Sequence, residues 1–367
     1  MLEIKNRLQR IANVLMLNAS FIDNLGLLNG KMGIAIFFYQ YSRYTGNKIY
    51  SDYSGELIDE IYEEINTNTP VNFANGLTGI GWGIEYLVKN RFVEADTDEA
   101  LSEIDTSIYR NSLYRPFLLE NEKDVFGYGL YYIARLREHE NDNDNLNTLF
   151  KKQHLIYLTD DCERILIQKS YLRFNLQFLS IDTINSILWF LLEMHRLKLF
   201  PMKVEKLFHS LPEYIESCSK SSEDTPGQSL LLRLIESILP CVIDIGLQKL
   251  LKTIFKEKNG KVLGTGTSED FMVNNFIIST WQQLVYPSYI IKDKIFQNDF
   301  GNIFPIIDNE EKWNRRLDNL NKNKMGLTGL AGLGLGMLRA LGEGLRVKTV
   351  EQTALNSEKL NDKIRIE

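Results

Sequence analysis

Two acidic tetrapeptides, Ser221-Ser222-Glu223-Asp224 and Thr267-Ser268-Glu269-Asp270, carry the side chains best suited to chemistry in this sequence. Each sets a glutamate beside an aspartate behind a hydroxyl residue, and each stands just before an apolar run. Paired carboxylates do general acid and base work, and in glycoside hydrolysis their separation fixes the stereochemical outcome. The same groups can hold a cation, a sugar or a basic peptide segment. A plainer role is also open: Asp224 and Asp270 as helix N-caps, with Glu223 and Glu269 set favourably against the helix dipole.

Metal chemistry has less to draw on. A catalytic zinc takes three protein ligands from Cys, His, Asp or Glu and keeps one position open. The three cysteines, Cys162, Cys218 and Cys241, form no ligand-like pair. His139, His154, His195 and His209 show neither His-x-x-x-His nor Cys-His spacing. Cys241, behind Pro240, reads as a small packed residue, and His195 as a surface residue at the trailing end of a helix. An odd, small number of cysteines also fits a reducing compartment, so a cytoplasmic location is expected.

The elements that would position these groups repeat. "GKMGIAIFF", "GIGWGIEYL" and "FGYGLYYIA" place Gly33, Gly83 and Gly129 at the head of apolar helical runs. The register continues through Ile187, Ser229 and Asn275 and returns to glycine at Gly334, giving seven units of about fifty residues. Asp124, Asp182, Asp224 and Asp270 stand five positions before their anchors and Thr78 occupies that place in the second unit, marking helix starts by N-cap preference.

More polar amphipathic segments lie between, such as "YSGELIDEIYEEI", where Leu57, Ile58, Ile61 and Ile65 share one face. These are expected to be outer helices. The glycine-rich last unit is no polar cap, so a closed ring is expected rather than an open solenoid. The predicted fold is all-α: an α/α toroid of seven helical hairpins forming one domain over residues 1–367.

In such a ring the starts of the inner helices surround one mouth. Trp82 and Tyr128, each directly before an anchor, are candidates to stack on a ligand there; Trp189 and Trp281 read equally well as core. Asn29, Asn75, Asn185, Asn274 and Asn275 offer neutral hydrogen bonding at the same mouth, or satisfy helix ends. The charge of −6, from 48 acidic and 42 basic residues without a basic block, excludes a nucleic-acid partner from the expectations. The apolar stretch from Met325 to Leu338 is shorter than the roughly 20 residues a bilayer span needs, so no transmembrane segment is expected.

"GLLNGKMGIAIFFYQYSRYTG", "ANGLTGIGWGIEYLV" and "GLTGLAGLGLGMLRAL" resemble repeats of the lanthionine synthetase C-like (LanC-like) family. The resemblance implies a toroid of seven inner and seven outer helices. It also implies a zinc enzyme that adds a cysteine thiol to a dehydroamino acid in the making of ribosomal modified peptides. The family's zinc ligands are a cysteine in a W-C-Y-G-x-P-G-like segment and a Cys-His pair in a C-H-G segment. By the Pro226-Gly227 step, Ser222 stands where the first cysteine would be, and Ser268 and Glu269 stand where the pair would be.

No cofactor is therefore expected, zinc included. The expected partners are a precursor peptide or a partner modification enzyme, bound at Ser222, Glu223, Asp224, Ser268, Glu269, Asp270, Trp82, Tyr128 and Asn75. A carbohydrate-active toroid using paired carboxylates is the alternative.

Overall fold

The computed structural model describes residues 2–114, 122–136, 146–168, 181–218, 226–259, 268–285, 293–318 and 324–342. Their helices are α1 (Leu2–Asn18), α2 (Lys31–Thr45), α3 (Lys48–Glu64), α4 (Leu77–Lys89), α5 (Thr97–Ala100), α6 (Ser102–Tyr114), α7 (Glu122–Leu136) and α8 (Leu146–Glu163). After a π-helical turn at Arg164–Gln168 come α9 (Ile181–Arg196), α10 (Pro201–Cys218), α11 (Pro226–Ile238), α12 (Ile245–Asn259), α13 (Glu269–Val285), α14 (Asp293–Asp308), α15 (Glu310–Asp318) and α16 (Leu330–Ala340). The described residues contain no strand.

Apolar side chains on every face mark helices that are surrounded by protein. In α2 all residues from Lys31 to Tyr41 are buried, and in α4 all from Leu77 to Leu87. These inner helices touch in the order α2, α4, α7, α9, α11, α13, α16 and back to α2, which closes an all-α toroid. Each of the seven anchors, Gly33, Gly83, Gly129, Ile187, Ser229, Asn275 and Gly334, lies on one of them.

The glycines make room for a neighbour. A side chain at Gly81, Gly129 or Gly334 would strike the ring of Tyr131, Phe190 or Phe37, each on the adjoining inner helix. Outer helices bury one stripe only: in α3 it is Ser54, Leu57 and Ile61. The first helix, α1, is the outer helix of the last unit and packs on α16 and α14. Arg7 fixes it there, donating from Nε to the Ile307 carbonyl at 3.1 Å and lying over the Trp313 ring.

The aspartate register does not mark helix caps. Asp124, Asp182 and Asp270 lie one or two residues inside α7, α9 and α13, and Thr78 is the second residue of α4. Thr78 donates its hydroxyl to the Val71 carbonyl at 2.7 Å rather than accepting from a helix amide. Ser268 caps α13 instead, its Oγ accepting from Phe271 N–H at 3.3 Å.

At α2 and α4 the preceding loop folds back and supplies main-chain carbonyls. Lys31 N–H donates to Asn24 O at 2.9 Å and Leu77 N–H to Pro70 O at 2.8 Å. Helix amides left open by the glycine caps Gly30 and Gly76 are thereby satisfied without any side chain.

Candidate functional site

The loops that enter α2, α4 and α16 meet at the mouth where the inner helices begin. Main-chain bonds join them: Leu28 N–H donates to Ala74 O and Thr328 N–H to Leu28 O, both at 2.9 Å. Side chains complete the junction. Asn75 Oδ1 accepts from Asn24 Nδ2 at 2.9 Å and from Asn29 Nδ2 at 2.8 Å, while Thr328 Oγ1 donates to Asn29 Oδ1 at 2.6 Å.

Asn29 and Asn75 thus stand together as a neutral polar cluster, half-buried, at the seam between the first, second and last units. Asn185 is buried within α9 and Asn274 is exposed on α13. Asn24 and Thr328 are members that sequence reasoning missed. Thr328 was signalled by the Gly-Leu-Thr-Gly step before the last apolar run, whereas Asn24, followed by Leu25, carries no such motif. Asn75→Ala removes an acceptor shared by two donors and is expected to cost about 1–3 kcal/mol, read as a lower midpoint in urea unfolding.

The second acidic pair lies at the start of α13. Glu269 is ion-paired with Lys312, and Asp270 with Arg316 at 2.6 Å, both cations on α15. A patch of free negative charge is therefore not what these two residues form. Each carboxylate is neutralised by its own cation at the surface. Such exposed pairs contribute little, so Glu269→Gln and Asp270→Asn are each expected to change stability by less than about 1 kcal/mol, measured by thermal unfolding. Ser222, Glu223 and Asp224 lie outside the described residues.

Trp82 is buried, stacked on Tyr86 with ring centroids 5.5 Å apart and edge-on to Phe73 at 6.0 Å. Tyr128 and Trp189 are buried as well, and Trp281 is half-buried. Among the cysteines, burial pushes the Cys162 thiol up to about 12, and burial also raises that of Cys241. Both are held protonated at neutral pH, a poor state for a nucleophile or metal ligand. His154 packs against Tyr109, Phe150 and Tyr132, and burial lowers its pKa. His139 lies outside the described residues.

A second polar constellation was not foreseen. Arg135, buried on α7, donates to Glu85 Oε1 at 2.6 Å and to Asp105 Oδ2 at 2.7 Å, and lies 2.9 Å from Asp98 Oδ1. Asp98 also accepts from the buried Lys151 at 2.7 Å, and Tyr131 donates to Asp105 Oδ1 at 2.6 Å. Burial alone would raise the Asp98 carboxyl, but Lys151 and Arg135 outweigh it and hold it below the usual carboxylate range. The signal was a charge inside an otherwise apolar inner-helix run: Glu85 in "GIGWGIEYLV" and Arg135 in "GLYYIARL".

Residues 22–152 match the family model described as lanthionine synthetase C-like protein. Over this segment the chain is similar to the LanC-like family. No curated protein and no solved structure matches it. The matched LanC-like segment contains Asn24, Asn29 and Asn75 of the mouth cluster, and Glu85 and Arg135 of the buried one. Ser268 and Glu269 lie outside it.

Two of the residues that the resemblance sets at zinc-ligand places, Ser268 and Glu269, have other partners. Ser268 is a helix cap and Glu269 is committed to Lys312. Among the described residues no group of three or more His, Cys, Asp and Glu side chains could hold a metal ion. None of the described helices is long and apolar enough to cross a membrane.

Proposed function

We propose that this LanC-like protein serves a pathway of ribosomal modified peptides by binding a precursor peptide or a partner modification enzyme, without closing thioether rings itself. The whole chain acts as one toroidal domain in the cytoplasm and works without zinc. The observation that carries this reading is the commitment of Ser268 and Glu269. They hold the places the resemblance gives to a Cys-His pair, yet one caps α13 and the other pairs with Lys312.

The chemistry open to such a chain is recognition. Main-chain carbonyls, amides and the Asn24, Asn29, Asn75 and Thr328 side chains at the mouth offer hydrogen bonds that suit a peptide backbone. The carbohydrate reading draws no support from α13, because Glu269 and Asp270 each face a cation rather than one another's substrate.

The test has two parts. Zinc per chain is measured in protein purified without chelators or added metal, and a dehydrated cysteine-containing peptide is incubated with the chain while free thiols are counted. The expected result is near-zero zinc, unchanged thiols and saturable binding of the unmodified precursor peptide or the partner enzyme. Reproducible thioether formation by the purified chain overturns the reading.

A further inference from the structure

Around the outer ring, cations and carboxylates of neighbouring helices pair sideways. Lys151 on α8 meets Asp98 on α5 at 2.7 Å, and Lys203 and Lys206 on α10 meet Asp160 and Glu163 on α8 at 2.5 and 2.9 Å. Two outer helices depart from this pattern. On α3 the exposed Asp52, Glu56, Asp59 and Glu63 follow one another at helical spacing, and on α12 the exposed Lys249, Lys252 and Lys256 do the same. None of these seven pairs with an opposite charge among the described residues.

At 3.6 residues per turn each set falls within about 60° of arc, so each is a single stripe. Both stripes face away from the protein, since α3 buries Ser54, Leu57 and Ile61 on its other side and α12 buries Leu247, Leu251 and Ile254. Like charges three and four residues apart repel, so each stripe works against its own helix. The other carboxylates of these helices have separate tasks. Glu60 and Glu64 hold Lys31, and Asp244 caps α12 by accepting from Leu247 N–H at 2.6 Å.

We propose that α3 of one chain docks against α12 of a second copy. The stripes are complementary in step as well as in sign. Lys249, Lys252 and Lys256 are set three and then four residues apart, which matches Glu56, Asp59 and Glu63 for helices running the same way and Asp59, Glu56 and Asp52 for helices running opposite ways. Each run of three spans about 10 Å of helix. Helix α3 belongs to the first unit and α12 to the fifth of seven, so the stripes lie on roughly opposite flanks of the ring. Two copies therefore cannot satisfy both stripes with each other. The contact is head-to-tail, leaves one α3 and one α12 open, and lets assemblies grow beyond pairs. A contact one helix wide is small, which places it among weak, reversible interfaces.

Sedimentation equilibrium of the full chain, at concentrations up to about 100 μM and in about 10 mM and about 500 mM salt, tests the assignment. In low salt the weight-average mass is expected to rise about twofold or more with concentration, and in high salt to stay at that of one chain. Lys249→Glu with Lys252→Glu and Lys256→Glu should abolish the rise, as should Glu56→Lys with Asp59→Lys and Glu63→Lys. A chain carrying both sets has opposite charges facing again and should regain it.

That recovery separates a lost contact from a lost fold, and circular dichroism establishes that each variant is helical. A chain that stays single at every concentration in low salt overturns the proposal. So does association that neither salt nor the substitutions weaken, or a folded chain with both sets that fails to associate. If the substitutions instead abolish binding of a modification enzyme while the chain alone stays single, the stripes belong to that enzyme and the proposal falls. None of these outcomes depends on whether the chain cyclises peptides.

Discussion

Arg135→Met is expected to lower the free energy of unfolding by about 3–5 kcal/mol, because it takes the Arg135 cation from buried Glu85 and half-buried Asp105. Methionine roughly preserves the volume, so the loss comes from charge rather than from a cavity. Glu85, itself buried, loses its 2.6 Å contact, and Asp105 keeps only the Tyr131 hydroxyl among the bonds described above. Urea unfolding at pH 7 gives the magnitude. Arg135→Met combined with Glu85→Gln should cost less than the two single changes together, since the second removes the charge stranded by the first.

The pH dependence has a definite sign. The folded pKa of Asp98 is depressed, so its contribution is fully present above the ordinary carboxylate value of about 4 and is lost as pH falls through the folded value. Wild-type stability should therefore fall on acidification below about pH 4. The fall at Asp98 should shrink in Arg135→Met, where one of its two cations is missing.

Gly76→Ala is the second large effect, expected to cost about 3 kcal/mol or more. Gly76 has φ of −137°, so left-handed freedom is not the reason for glycine here. A Cβ would stand 1.8 Å from the Pro70 carbonyl oxygen, the atom that accepts from Leu77 N–H to cap α4. Main chain cannot yield as a side chain does, so the loop must lift off the helix. Gly55 supplies the control. It lies inside α3, and a methyl added there would meet only the Tyr39 hydroxyl, at 4.0 Å, so Gly55→Ala should gain up to about 1 kcal/mol from helix propensity. Equal effects at the two positions would mean that close carbonyl approach is not what requires glycine at the caps.

The ring helices were legible because their apolar runs are continuous and repeat, and all seven anchors fall on them. Outer helices such as α3 were legible through Leu57 and Ile61, spaced at helical period. The caps were misread because propensity points to Asp270 and Thr78, whereas the loops cap α2 and α4 with carbonyls seven residues upstream, which propensity does not register. The acidic pair at α13 was visible as a motif, but its neutralisation was not. Lys312 and Arg316 come from another outer element, and only packing brings them close. Glu85 and Arg135 were each visible as a charge in an apolar run, yet their pairing depends on which inner helices adjoin.

Closure of the toroid by Thr328 on Leu28 and Asn29, and by Arg7 on Ile307, joins residues some three hundred positions apart. That separation bears on the order of events during synthesis. Units in an open array can fold one after another as they emerge, each resting on the last. Here α1 and α2 leave the ribosome well before α16, so one flank of the first unit stays uncovered until some three hundred more residues have been made. Folding is expected to be slow, to hesitate at the final closure, and to expose a sticky intermediate whenever translation stops short of the last unit.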